Sequence, residues 1–228
     1  MKKFATIAAL LMLPSVALAQ IGIRNSRHDL SSSSTSGGIT SDVDRVCVFC
    51  HVPHNADPGE NAIWNRNDPA DPALTWANIT VTAGGTTLAN IVNATDSSLK
   101  CFSCHDGTTN LANLYNAAPV TPSQATITNT FYEVDNLAYD GNHPVSIKYP
   151  QAGTRGTAYN GSDQPTTFPF SGYNAPATAI TAGVKLYPAT GGIYGVECAS
   201  CHEPHDMTYG YFLRMDNAGS DLCFACHN

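Results

Sequence analysis

Apolar residues along this chain rarely fall into long periodic runs. The one sustained stretch is at the start, where Lys2 and Lys3 precede an apolar run over residues 4–13. Ala17-Leu18-Ala19 then forms an A-x-A cleavage site, so residues 1–19 read as a secretory signal peptide with a mature chain from Gln20. The run is too short for a stable membrane span, and nothing later approaches the roughly 18 apolar residues needed. No cysteine follows the cleavage site, so a lipid anchor is not indicated. Beyond the leader, alternation over Thr126-Ile127-Thr128-Asn129-Thr130-Phe131-Tyr132 and over Val145-Ser146-Ile147-Lys148-Tyr149 predicts short strands. Asp96-Ser97-Ser98-Leu99 running into Cys101, and Ser220-Asp221-Leu222 running into Cys223, predict short helices with a Ser or Asp cap. Pro53 and Pro204 should stop the helical turns before them. The serine-rich residues 31–38 read as a flexible loop, and residues 107–195 as turns and irregular backbone.

Composition agrees with a chain poor in regular structure, being rich in Gly, Pro, Ser, Thr and Asn. Loss of Lys2 and Lys3 with the leader takes the formal charge from −7 to −9. The remaining Lys and Arg are scattered with no basic stripe, which argues against nucleic acid as a partner. An acidic surface favours basic redox partners or bound cations, or simply keeps an exported protein in solution.

All eight cysteines fall into four C-x-x-C-H signatures. They are Cys47, Cys50 and His51; Cys101, Cys104 and His105; Cys198, Cys201 and His202; Cys223, Cys226 and His227. Two thiols on one helical turn can reach the two vinyl groups on one edge of a porphyrin, and the following histidine lies under the iron. A zinc pair or a redox dithiol needs no histidine there, and a disulfide framework has no reason to pair cysteines two apart. The pattern therefore predicts four haem c groups with His51, His105, His202 and His227 as proximal ligands. The expected fold is a multihaem cytochrome c, residues 20–228, mostly coil with short helices at the haem motifs and few strands. Its core is expected to be formed by the haems themselves, since porphyrins supply the apolar surface that the chain lacks.

The motifs come in two pairs, and the first of each carries an x-P-H extension: Val52-Pro53-His54 and Glu203-Pro204-His205. An internal duplication of a dihaem module follows, with an insertion in the first copy. Of eight histidines four remain, His28, His54, His143 and His205, and four irons need four distal ligands. Bis-histidine ligation closes the count, although Met207 or Met215 could in principle replace one. His54 and His205 share a turn with a proximal histidine, so each should reach a different haem from its own. His28 lies near the mature N-terminus, and an iron bond in its own or another molecule would tie that arm down.

The segments C-V-F-C-H-x-P-H-N, N-H-P-V-S, and C-A-S-C-H-E-P-H with F-L-R-M-D-N-x-G-S-D-L-C-F-A-C-H resemble outer-surface multihaem cytochromes of metal-reducing bacteria, in particular the OmcE-like tetrahaem group. The resemblance runs from His28 to His227 and implies the same proximal and distal sets. It also implies polymerisation into an extracellular filament in which one haem takes its distal histidine from the adjacent subunit, with His28 the candidate donor here. Electron transfer through four bis-histidine haems is the expected function. The alternatives are a monomeric periplasmic shuttle, which keeps every haem, and a multihaem reductase, which needs an iron with a vacant face. The full histidine complement argues against catalysis, so no catalytic residue is expected.

Overall fold

The structure is a computed structural model and describes residues 22–67, 79–81, 86–88, 96–116, 119–129, 143, 145, 147–149, 173–189 and 193–227. The leader 1–19 and the strand expected at 130–132 lie outside them. What is described is mostly coil, threaded with short helices and two small sheets. Strands β1 (Ile79–Val81) and β2 (Thr86–Leu88) form an antiparallel pair with Ile79 opposite Leu88. A second sheet has the order β3-β5-β4, formed by β3 (Ile147–Lys148), β4 (Tyr187–Ala189) and β5 (Ile193–Val196). Both of its pairings are antiparallel, with Ile147 opposite Val196 and Tyr187 opposite Gly195.

The helices are α1 (Asp96–His105), α2 (Pro176–Ala182), α3 (Cys198–Cys201) and α4 (Asp221–Phe224). Three of the four carry a C-x-x-C-H signature, and the remaining signature begins in the 3-10 turn Val46–Phe49. The two turns that precede a proline end early, before Cys50 and at Cys201. Pro53 and Pro204 follow within three residues, where they cannot continue a helix. The expected serine cap on α4 is not realised: Ser220 adopts a left-handed φ of 71° and makes no side-chain capping bond. A left-handed residue aims its hydroxyl away from the first-turn amides. On α3 the cap is instead Glu197, whose carboxylate accepts from Ser200 N–H while Ser200 Oγ accepts from Glu197 N–H at 2.9 Å.

Two sequence expectations are corrected. Residues 126–129 are irregular rather than strand; alternation alone does not supply a pairing partner. The serine-rich stretch 31–38 is not a loose loop, because its hydroxyls bond locally. Ser31 is buried and its hydroxyl donates to Asp29 Oδ1 at 2.6 Å, Ser34 donates to Ser36 at 3.0 Å, and Arg27 Nη1 donates to Gly37 O at 2.9 Å. Short hydroxylated side chains satisfy turn backbones as well as they solvate a flexible chain.

The apolar interior is thin and lies under the motifs. Val48, Phe49, Phe102, Leu111 and Leu114 are buried around the first two. Tyr149, Ala179, Val184, Leu186 and Ala225 form a cluster under the last two, joined by Tyr194, Val196, Met215 and Leu222. Tyr149 is the pivot of that cluster: its hydroxyl donates to Asn174 O at 2.7 Å and reaches Cys226 O at 3.3 Å. Tyr149→Phe should lower the stability of the haem-loaded protein by about 1 kcal/mol. Tyr149→Ala should lower it by about 3 to 5 kcal/mol, by leaving a cavity. Denaturant titration of both variants checks this, and equal losses would mean that the ring contributes nothing beyond its hydroxyl.

Candidate functional site

Motifs 1 and 3 are framed by corresponding backbone bonds. In the first, His51 N–H donates to Cys47 O at 2.7 Å. The chain loops out and returns through Ala62 and Ile63, two residues with positive φ of 61° and 52°. Val52 N–H then donates to Ile63 O at 3.0 Å and Asn65 N–H to Cys50 O at 2.9 Å, with His51 bridged to Trp64. In the third motif His202 N–H donates to Cys198 O at 3.2 Å, and the return passes through Tyr211 and Phe212 at φ 49° and 58°. Glu203 N–H donates to Phe212 O at 2.7 Å and Arg214 N–H to Cys201 O at 2.9 Å, with His202 bridged to Leu213. The two loops differ in length and in their inner bonds, where Asp57 N–H donates to Trp64 O at 3.0 Å in the first only, yet the three bonds that frame each histidine correspond.

The purpose of the left-handed pair is visible at the histidine. His51 Nδ1 lies 2.7 Å from Ala62 O, and His202 Nδ1 lies 3.0 Å from Tyr211 O. A carbonyl can only accept, so the ring proton sits on Nδ1 and Nε2 carries the free lone pair. That is how a metal-ligating histidine is oriented from behind. A left-handed conformation costs a non-glycine residue about 1 to 2 kcal/mol. Paying that cost four times in corresponding places marks the imidazole's aim as the feature being kept. Side chains reinforce it: Asn65 Nδ2 donates to Val48 O at 2.7 Å, and its counterpart Arg214 Nε donates to Ala199 O at 2.7 Å.

Motif 2 rides on α1, whose Phe102 and Ser103 are buried. Motif 4 is held from outside its helix, where Asn174 Nδ2 donates to Phe224 O at 2.8 Å and Tyr173 bridges His227. The motifs lie near one another: Arg66, just after Asn65, donates to Ser103 Oγ of motif 2 at 3.0 Å, and Cys198 N–H of motif 3 donates to Ser98 Oγ of α1 at 3.1 Å. Burial, then the charge of Cys104, pushes the Cys50 thiol up to about 12. A thiol–thiol hydrogen bond raises Cys101 well above its ordinary value and lowers Cys198. Burial, then Cys226, pushes Cys201 up to about 11. Motif 1 therefore adjoins motif 2, motif 2 adjoins motif 3, and motif 3 adjoins motif 4.

Three of the four remaining histidines are brought against motif histidines. His28 and His105 have ring centres 6.0 Å apart, His51 and His205 also 6.0 Å, and His143 and His227 6.3 Å. Two imidazoles on opposite faces of one metal atom, each at a metal–nitrogen distance of about 2 Å, stand about 6 Å apart centre to centre. The pairs thus fit a single iron between each two rings. Among the described residues no group of three or more His, Cys, Asp and Glu could hold a bare metal ion. His205 Nδ1 is 3.4 Å from Glu203 Oε1, and Arg214 Nη2 holds Glu203 Oε2 at 3.0 Å, so this imidazole too is oriented from behind.

His28, which could serve its own or another molecule, lies against its own chain here. It stacks on Phe212 at 4.3 Å, and its pKa falls to about 4 through burial and the nearness of His105, His202 and His205. Neutral imidazole is the ligating form. The arm is seated closely enough that a side chain at Gly22 would collide with the carbonyl of His205. His54 is exposed, and among the described residues neither it nor His202 makes a ring contact with a second histidine. Sequence reasoning missed Asn65, Arg66, Asn174 and Phe212. Only Asn65 and Phe212 left a trace, in the rough likeness of Ile63-Trp64-Asn65-Arg66 to Phe212-Leu213-Arg214-Met215 downstream of the two extended motifs.

Residues 191–228 match the doubled CXXCH motif family. They form a c-type-cytochrome-like haem-binding segment that takes in motifs 3 and 4 together with His205. The match indicates haem c binding and electron transfer in general, the work of an electron carrier rather than of a catalyst. No curated protein matches the chain. Among the described residues no helix is long and apolar enough to cross a membrane.

Asp29 governs the loop that carries His28. It is 0% exposed and accepts from Asn25 N–H at 2.7 Å, Ser31 N–H at 3.1 Å and Ser31 Oγ. Burial works to raise its pKa, but these donors hold the carboxyl below its ordinary 3.8. Its stabilising contribution is therefore complete above 3.8 and lost as pH falls through the lower folded value. Asp29→Asn should flatten the acid limb of the stability–pH curve below pH about 4. An unchanged acid limb in denaturant titrations would remove Asp29 from that role.

Proposed function

We propose that this protein is an exported tetrahaem c-type cytochrome that relays electrons through four bis-histidine haems and assembles into an extracellular filament. The observation that carries the reading is the set of three histidine pairs spaced for one iron each. The attachment residues are the eight cysteines of the four motifs, and His51, His105, His202 and His227 are the proximal ligands. His205 serves the iron of His51, His28 that of His105, and His143 that of His227. Bound haem c supplies a one-electron iron couple, and two histidines per iron leave no face open for substrate. The chain's own part is to aim the imidazoles and to bring consecutive attachment sites close together so that hops are short. His205, from the second module, also ties the two modules together.

The leftover pair supports polymerisation. His202 is oriented like a ligand, and His54 is an exposed imidazole on the corresponding extension of the other module. A contact between the His54 face of one copy and the His202 face of the next is heterologous and does not close on itself, so it propagates as a filament. The trans ligand is accordingly His54 rather than His28. The leader and the acidic surface fit a place outside the cell, with other redox proteins as electron donors.

Electron microscopy and electronic spectra of the haem-loaded protein test this. Wild type should form filaments with low-spin haems only. His54→Ala should dissociate them and expose one high-spin haem, whereas His28→Ala should expose a high-spin haem while filaments persist. Wild-type monomers with four low-spin haems would make the protein a periplasmic shuttle instead. A high-spin haem in the wild type would favour a reductase.

A further inference from the structure

The two modules share a backbone but not a buried charge. Arg66 is 1% exposed, and its guanidinium is held wholly by neutral groups. Nε donates to Ser103 Oγ at 3.0 Å and to Ser103 O at 3.1 Å, and Nη2 donates to Ser103 O at 2.6 Å and to Asn110 O at 3.1 Å. Nη1 donates to Leu111 O at 3.0 Å. Ser103 is the residue between the two cysteines of motif 2 that directly precedes Cys104, and Arg66 follows Asn65, whose N–H donates to Cys50 O in motif 1. Among the described residues no carboxylate forms an ion pair with it. The nearest acid along motif 2, Asp106, is occupied by Thr108 and Thr109. In the second module the position after Arg214, corresponding to Arg66, is the neutral Met215.

Glu197, also 1% exposed, precedes Cys198 and accepts from Ser98 Oγ of α1, the helix of motif 2, and from Ser200 N–H, so it sits between motifs 2 and 3 and belongs to neither module alone. The first module thus buries a cation where the second has a thioether.

We infer that Arg66 sets the haems of the first module at higher potentials than those of the second. Oxidation of a haem iron adds a positive charge. A guanidinium, which stays charged in proteins, opposes that step. Burial removes the water and salt that would otherwise screen it. The inference rests on the tetrahaem reading, since it needs haem at the first two motifs as well as the matched pair.

The test is a spectroelectrochemical titration of the haem-loaded protein, with haems first counted by intact mass. Wild type should titrate as two higher- and two lower-potential haems. Arg66→Met, which copies the second module, should lower the higher pair by about tenfold in equilibrium constant, about 59 mV for one electron. Arg66→Lys keeps the charge while breaking the fork of hydrogen bonds, and should stay close to wild type. Arg66→Gln, which keeps a donor toward Ser103 O without the charge, should lower the higher pair as Arg66→Met does, and it decides the matter if Arg66→Met does not mature. Four equal potentials in the wild type would overturn the inference. So would a Lys variant shifted as far as the Met variant, which would make Arg66 purely structural, or a Gln variant with unmoved potentials. A count below four haems ends the tetrahaem reading instead, so the two failures are distinguishable.

Discussion

Motifs 1 and 3 depend on one hydrogen bond made twice, from Nδ1 of the motif histidine to the carbonyl of a left-handed residue on the returning chain. That bond settles which ring nitrogen is free. It also settles where the loop must turn, because the carbonyl points at the ring only if the residue carrying it has a positive φ. Ala62 and Tyr211 have little in common as side chains, yet both adopt this conformation. Tyr211 does so while 79% exposed, with no burial of its ring to offset the strain. The backbone is arranged around the imidazole, and the rest of each module follows from the return it makes.

With so little aliphatic interior, hydrogen bonds to backbone carbonyls carry much of the positioning. Asn65, Arg66, Asn174 and Arg214 each reach a carbonyl within or beside a motif, and Tyr149 ties motif 4 to Asn174. Such side chains act as struts in a thin structure: they satisfy groups that a regular helix or sheet would otherwise satisfy. Their cost is that a charged strut brings its charge indoors. In one module that charge is Arg66; in the other, Arg214 lies toward the surface and is paired with Glu203.

Duplication explains both the symmetry and its breaking. Two copies of one backbone supply matched ligand frames, and the second-copy extension places His205 against His51 in the first. A single chain can then differentiate its halves by one buried residue, Arg66 against Met215, without disturbing the returns that aim the histidines.

Much of the chemistry was legible in the sequence because it is local. Two thiols and a histidine within five residues occupy one turn whatever the rest of the chain does, so the number and identity of the C-x-x-C-H motifs need no tertiary information. The same holds for the short helices at the motifs and for the stops at Pro53 and Pro204. The pairing of histidines is different, since His28 with His105 and His143 with His227 are joined only by the path of the chain between them. Position near a terminus left open whether His28 faces its own or another molecule, and stacking on Phe212 and the buried Asp29 network seat it against its own chain. Likewise an arginine in sequence is just one charge; its weight at the motifs comes from burial, which no local pattern encodes. The sequence by itself determined what could bind, and the tertiary structure alone decided which groups face each other, because ligand pairing and dielectric are properties of enclosure rather than of order along the chain.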